Sequence, residues 1–207
     1  MNTKEGLILS LDQDEFRQCS ILIETILQEY QTIIDRDYQG YLNHCKRVAA
    51  CCLILSQDSR EDTIRKIAIA VAFHDIGIWT SKTIDYLEPS VRVMLSYLTL
   101  HRLLDWQIEI TLMITEHHKL TRTKCSEYPL VEYFRQADYA DFSLGLLRSN
   151  IPRSEFKKLT SQYLNSGFHK TLVCLGLKRF LQKPWSPLPM FKWYFNLLFL
   201  IEIYTER

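Results

Sequence analysis

The stretch that decides the fold is Ala70-Val71-Ala72-Phe73-His74-Asp75-Ile76-Gly77-Ile78. Together with Ile64, Ile67 and Ala68 it carries apolar residues at three- and four-residue steps, which predicts a helix with one buried stripe. Arg60-Glu61-Asp62 opens that helix, with acids suited to the positive end of its dipole. Gly77 reads as its C-cap. A charged Asp75 inside so apolar a run is costly unless something compensates it. The stretch therefore announces both a buried helix end and a chemical problem that needs a partner.

Working outward, the same period recurs. Asp14 to Tyr30 places Phe16, Ile21, Ile23, Ile26 and Leu27 at helical spacing. Asp37 is a candidate N-cap for a helix to about Ser56, with Tyr41, His44, Val48 and Cys51 or Cys52 inward. Downstream, a loop spans Ile78 to Leu87, and Pro89 starts a helix to about His101. Further helices are expected over Asp105–His118, Pro129–Leu147, Pro152–Leu164, Phe168–Leu181 and Phe191–Tyr204. No segment alternates with period two, so the chain reads as all-α with eight or nine helices. Residues 1–182 read as one helical bundle. Residues 183–207 read as a C-terminal apolar helix packed on the same domain, with Lys183-Pro-Trp-Ser-Pro-Leu-Pro189 as a kinked connection.

Composition agrees. The 207 residues are 47% hydrophobic and 24% charged, enough for one sizeable core. Six Gly and six Pro are few for a turn-rich β architecture. A net charge of +1 gives no support to general nucleic-acid binding. Leu7-Ile8-Leu9 is too short for an export signal, and the six Cys form no C-x-x-C, so reduced and mostly buried thiols in a cytoplasmic protein are expected. Leu188 to Tyr204 is aromatic and apolar but interrupted by Pro189, Lys192, Asn196 and Glu202, short of a bilayer span. It suits packing on the core, a homodimer contact or a membrane-surface contact.

Five of the six His fall at helix-related positions: His44, His74, His101, and the pair His117-His118. Asp138 and Asp141 follow one turn apart in Ala-Asp138-Tyr-Ala-Asp141. Singly, each is ordinary: a core histidine, a surface histidine, a solvated acid. As a set within apolar surroundings they suit a divalent cation, since imidazole with carboxylate binds Fe, Mn, Co, Ni or Zn. The set exceeds what one ion needs, and two ions sharing a carboxylate would use it.

The order His44, His74-Asp75, Asp138 resembles the H…HD…D pattern of the HD-domain superfamily. Tyr41-Leu-Asn-His44-Cys-Lys-Arg-Val, Ala72-Phe-His-Asp-Ile-Gly-Ile and Gln136-Ala-Asp138-Tyr-Ala-Asp141 carry the likeness, over about Tyr38 to Leu147. The resemblance implies an all-α HD bundle with a metal site in its middle. It implies His44, His74, Asp75 and Asp138 as ligands of a first ion, with Asp75 bridging. It implies His101, and His117 with His118, as ligands of a second, as in the dinuclear branch with HD-GYP phosphodiesterases and HD-fold di-iron oxygenases. Two features depart from the pattern. Ile78 stands where many HD enzymes have Lys, leaving Lys82 in the next loop to take its place, and no glycine-rich GYP segment follows His118.

The expected activity is metal-dependent hydrolysis of a small phosphate ester or nucleotide, with an activated water attacking phosphorus. Asp75, Asp138 and Lys82 are the expected catalytic residues. Arg47, Lys82, Lys119 and Arg122 are the expected phosphate contacts, because phosphoryl transfer depends on placed charge. An HD-fold di-iron oxygenase is the alternative, motivated by the extra His101, His117 and His118. A non-enzymatic scaffold has no use for buried ligands.

Overall fold

The computed structural model describes residues 11–182 and 184–185, and the expected helix over Phe191–Tyr204 lies outside them. Asp12 caps the first helix: its Oδ1 accepts from the backbone N–H of Asp14 (2.9 Å) and Glu15 (3.0 Å). That helix, α1, runs Gln13–Gln28, and a short turn, α2, Gln31–Ile34. The long α3 covers Tyr38–Ser56 and ends on Gln57 in the left-handed region, at φ 50°. Most of α3 is buried, as expected of a helix surrounded by others. Next come α4 (Glu61–Phe73) and the single turn α5 (Gly77–Thr80). Then follow α6 (Leu87–Leu100), α7 (Gln107–Glu116) and α8 (Pro129–Phe142), the last with Pro129 at its start. The bundle ends with α9 (Arg153–Gln162) and α10 (Phe168–Gln182).

All described regular structure is helical, as expected, and eight helices have ten residues or more. The core lies where α3 packs against α8, α1 and α4, and where α7 packs on α8. Tyr41, Phe73, Phe134 and Phe168 are fully buried there. Truncating such an aromatic to Ala costs about 3–5 kcal/mol. Cys19, Cys45, Cys51 and Cys52 are buried in the same core, and all six cysteines are free thiols. They pack as small hydrophobes, as expected. No helix among the described residues is long and apolar enough to cross a membrane.

Gly77 departs from expectation. It does not close α4 but opens α5, and its backbone N–H donates to Ser90 Oγ at 3.0 Å. A Cβ there would overlap the Tyr86 carbonyl oxygen and crowd Pro89 and Ser90. The glycine is needed for close approach of two backbones, not for a left-handed turn. Asp37 also does different work. Its side chain caps nothing; it accepts from Trp79 Nε1 (3.2 Å) and Thr171 Oγ1 (3.0 Å), tying α5 and α10 to the start of α3.

Candidate metal centre

Four elements converge on one cluster. α3 brings His44; the end of α4 brings His74 and Asp75; the end of α7 brings His117 and His118; α8 brings Asp138 and Asp141. His44, His74, Asp75, His117, Asp138 and Asp141 are all buried. Three overlapping groups each place their ligand atoms within 4.8 Å: His44, His74 and Asp138; His74, Asp75 and His117; His117, His118 and Asp138.

Tautomers settle which imidazole nitrogens face the centre. His74 Nδ1 lies 2.8 Å from the Val71 carbonyl and His117 Nδ1 lies 2.6 Å from the Ile114 carbonyl. His44 Nδ1 lies 2.7 Å from Asp141 Oδ2. Each Nδ1 therefore carries the hydrogen, and each Nε2 turns a lone pair inward. Donating the other ring N–H to a carbonyl or carboxylate is how metal-binding histidines are oriented.

The Nε2 atoms surround two carboxylates. Asp75 turns Oδ2 toward His74 (3.4 Å) and His44 (3.9 Å), and Oδ1 toward His117 (3.7 Å). Asp138 Oδ1 lies 3.5 Å from His44 Nε2 and 3.7 Å from His74 Nε2. Most of these separations are too long for hydrogen bonds. Asp75 Oδ1 and His117 Nε2 are buried with no hydrogen-bond partner at all. Leaving them so is expensive. Among the described residues no Lys or Arg pairs with Asp75 or Asp138, whereas Asp141 is neutralised by Arg47 (2.5 and 2.8 Å). Two uncompensated carboxylates ringed by imidazole lone pairs fit a divalent cation by charge and by donor type.

Electrostatics agree. Burial pushes the Asp138 carboxyl up to about 7 and the His117 imidazole down to about 3. Burial and the neighbouring His44 lower His74 well below its usual value. Burial also works against charge on His44, but the hydrogen bond and charge of Asp141, aided by Asp138 and Asp75, raise it overall. His44 Nε2 and His74 Nε2 face each other at 3.0 Å, and a cation beside them would accept both lone pairs. Burial opposes ionisation of Asp141, yet the hydrogen bonds from His44 and Arg47 hold it well below the carboxylate range.

The structure brings together His44, His74, Asp75, His117, His118 and Asp138, but not the other expected site residues. His101 follows α6 and is exposed, its ring against Tyr97 at 4.1 Å. Arg47 is buried and spent on Asp141 and on the Tyr163 carbonyl (2.8 Å), so it is a support for His44 and not a phosphate contact. Lys82 is exposed and lines a separate groove beside α10. Lys119 pairs with Glu116 at 2.9 Å, and Arg122 is exposed on the following loop. His118 is half-buried, and its Nε2 takes the Tyr86 hydroxyl at 2.5 Å, which leaves His117 as the ring with an open Nε2.

Sequence reasoning missed several residues here. Tyr86 is buried between His118 and the Asp75 carboxyl. Tyr41 donates to the Ala72 carbonyl (3.0 Å) and accepts from the Asp75 backbone N–H (3.3 Å), holding the helix end that carries both ligands. Phe168 stacks on His44, with centroids 4.3 Å apart. Arg135 donates to the Lys119 carbonyl (3.1 Å) and Tyr139 to the His118 carbonyl (3.0 Å), pinning the second pair of histidines to α8. Only Tyr86 carried a signal, since its loop directly follows the His-Asp pair. Compared with known proteins, the chain matches no family model, no curated protein and no solved structure.

Proposed function

We propose that the protein is a metal-dependent phosphohydrolase of the HD type, acting on a small phosphate ester or nucleotide. The observation that carries this reading is the buried ring of His44, His74 and His117 Nε2 atoms around Asp75 and Asp138, in the chain order H…HD…D. Divalent ions bound there would draw charge from a phosphate oxygen and acidify an adjacent water. The protein's own groups divide the remaining work. Asp75, with one oxygen toward His44 and His74 and the other toward His117, would serve two ions if both bind. Asp138 would complete the ligand set with His44 and His74 and would orient the attacking water. The Tyr86 hydroxyl holds the His118 ring at the edge of the cluster.

The test is metal analysis of protein purified without chelator, followed by phosphate release from a panel of phosphomonoesters and nucleotides with Mn, Co, Ni, Fe and Zn, with O₂ uptake measured in parallel. Metal-stimulated phosphate release is expected, falling to background in Asp75→Ala while the helical circular dichroism is kept. Undiminished release in Asp75→Ala would overturn the reading. Substrate-dependent O₂ uptake by an iron-loaded protein without phosphate release would establish the oxygenase instead.

A further inference from the structure

A concave site lies away from the candidate metal centre. It is a groove of about 650 Å³ between α2, α5 and α10, within the size range of small-molecule sites, and none of the cluster's His or Asp residues line it. Four cations do: Arg36, Lys82, Lys170 and Lys178. All four are exposed, and among the described residues none makes a side-chain hydrogen bond or ion pair. The one acid in the lining is Asp37, and both its oxygens are engaged, by Trp79 Nε1 and Thr171 Oγ1. The groove thus gathers four positive charges against one. Like charges crowded without partners repel, and an arriving anion relieves that repulsion.

The lining also carries an apolar side, with Ile33, Ile78, Trp79 and Leu175. Trp79 is held rigidly, by its bond to Asp37 and by its ring packed 4.6 Å from that of Tyr41. Tyr41 in turn stands between Trp79 and the rings of His44 and His74, so the groove and the cluster occupy different sides of one aromatic wall. Arg and Lys together favour a multiply charged oxyanion, and a fixed indole with aliphatic neighbours favours an apolar or aromatic body.

We propose that this groove binds an organic phosphate, its phosphate held among Arg36, Lys82, Lys170 and Lys178 and its apolar body laid against Trp79. The site stands whether or not the metal centre hydrolyses phosphate. The ligand's phosphate has two possible sources, a free metabolite-sized ester or the headgroup of an anionic lipid, and the test separates them. The metal-loaded full chain is titrated calorimetrically with dihexanoyl phosphatidate below its micelle concentration and with inorganic phosphate. It is also sedimented with phosphatidylcholine vesicles with and without phosphatidic acid. Saturable binding of the short-chain phosphatidate is expected, with inorganic phosphate weaker because it lacks the apolar body. Lys170→Glu combined with Lys178→Glu should weaken binding by about tenfold or more, as befits loss of two charge-assisted contacts. Asp138→Asn should leave it unchanged, which separates this groove from phosphate bound at the metal centre. Binding to phosphatidic acid vesicles alone, lost in the charge-reversed variant, assigns the phosphate to a lipid headgroup. Absence of binding to every probe, binding insensitive to charge reversal, or binding lost in Asp138→Asn overturns the proposal.

Discussion

His44 and His117 serve the same cluster from different helices and are held there in different ways. His44 is fixed by distant parts of the chain. Its Nδ1 bonds Asp141, Asp141 bonds Arg47, Arg47 reaches the Tyr163 carbonyl, and Phe168 lies on the ring. His117 is fixed by its own helix, through the Ile114 carbonyl, and its Nε2 has no partner. The support behind His44 is thus charge-compensated without an ion, Asp141 being held by Arg47. The His117 half is completed only by a ligand. The difference teaches that burial and ligand type alone do not make two half-sites equivalent; what stands behind each ring decides how well it is organised beforehand.

Breaking the support behind His44 should produce the largest effect. Arg47→Ala leaves Asp141 as an uncompensated buried charge, and a loss of about 3–5 kcal/mol in urea unfolding is expected. A loss well under 1 kcal/mol would mean the two halves do not differ as described. Removing the ring from the other half should be milder in stability and sharper in metal content. His117→Ala is expected to lower bound metal to about half while His44, His74 and Asp138 keep theirs, because lost ligands act locally. Metal content equal to the parent's would show that one ion uses only the His44 half.

Acidity sharpens the same comparison. In the ion-free protein Asp138 titrates near 7 instead of 3.8, so between those values it holds a proton that the unfolded chain has released. Its contribution to stability is therefore lost as pH rises through about 7. His117, lowered from 6.5 to about 3, contributes oppositely: stability is lost as pH falls through that window. The two trends oppose one another in a melting curve, so metal affinity is the better readout. Ions must displace the proton from Asp138 but none from His117. Affinity should weaken by up to about tenfold per pH unit and proton displaced below pH 7. A pH-independent affinity between 6 and 8 would contradict the protonation described for the His44 half. The smallest effect belongs to His101→Ala, which should change neither metal content nor stability by more than about 0.5 kcal/mol, since the ring is exposed.

The helices and most of the cluster were legible from spacing. His44, His74, Asp75 and Asp138 stand out because charged or titratable groups interrupt apolar runs, and that contrast is local in the sequence. His101 shares the helix-end position of His117, and only the face it presents separates an exposed ring from a buried one. Arg47 illustrates the opposite failure: as an expected phosphate contact it does lie beside the cluster, but its partner, Asp141, is 94 residues away. Tyr86, Tyr41 and Phe168 were hidden for a related reason. Aromatic residues in helical proteins read as core unless a long-range contact shows what their edges and hydroxyls touch.

Gly77 lies two residues beyond Asp75, and the carbonyl that occupies the space of its absent side chain belongs to Tyr86, whose hydroxyl bonds His118. That glycine is in effect a gauge. It sets how near the segment carrying Tyr86 can come to the turn carrying Asp75, and so fixes the width of the gap across which a substrate oxygen would have to fit. A single methyl group at this position would widen that gap without altering any residue that faces it.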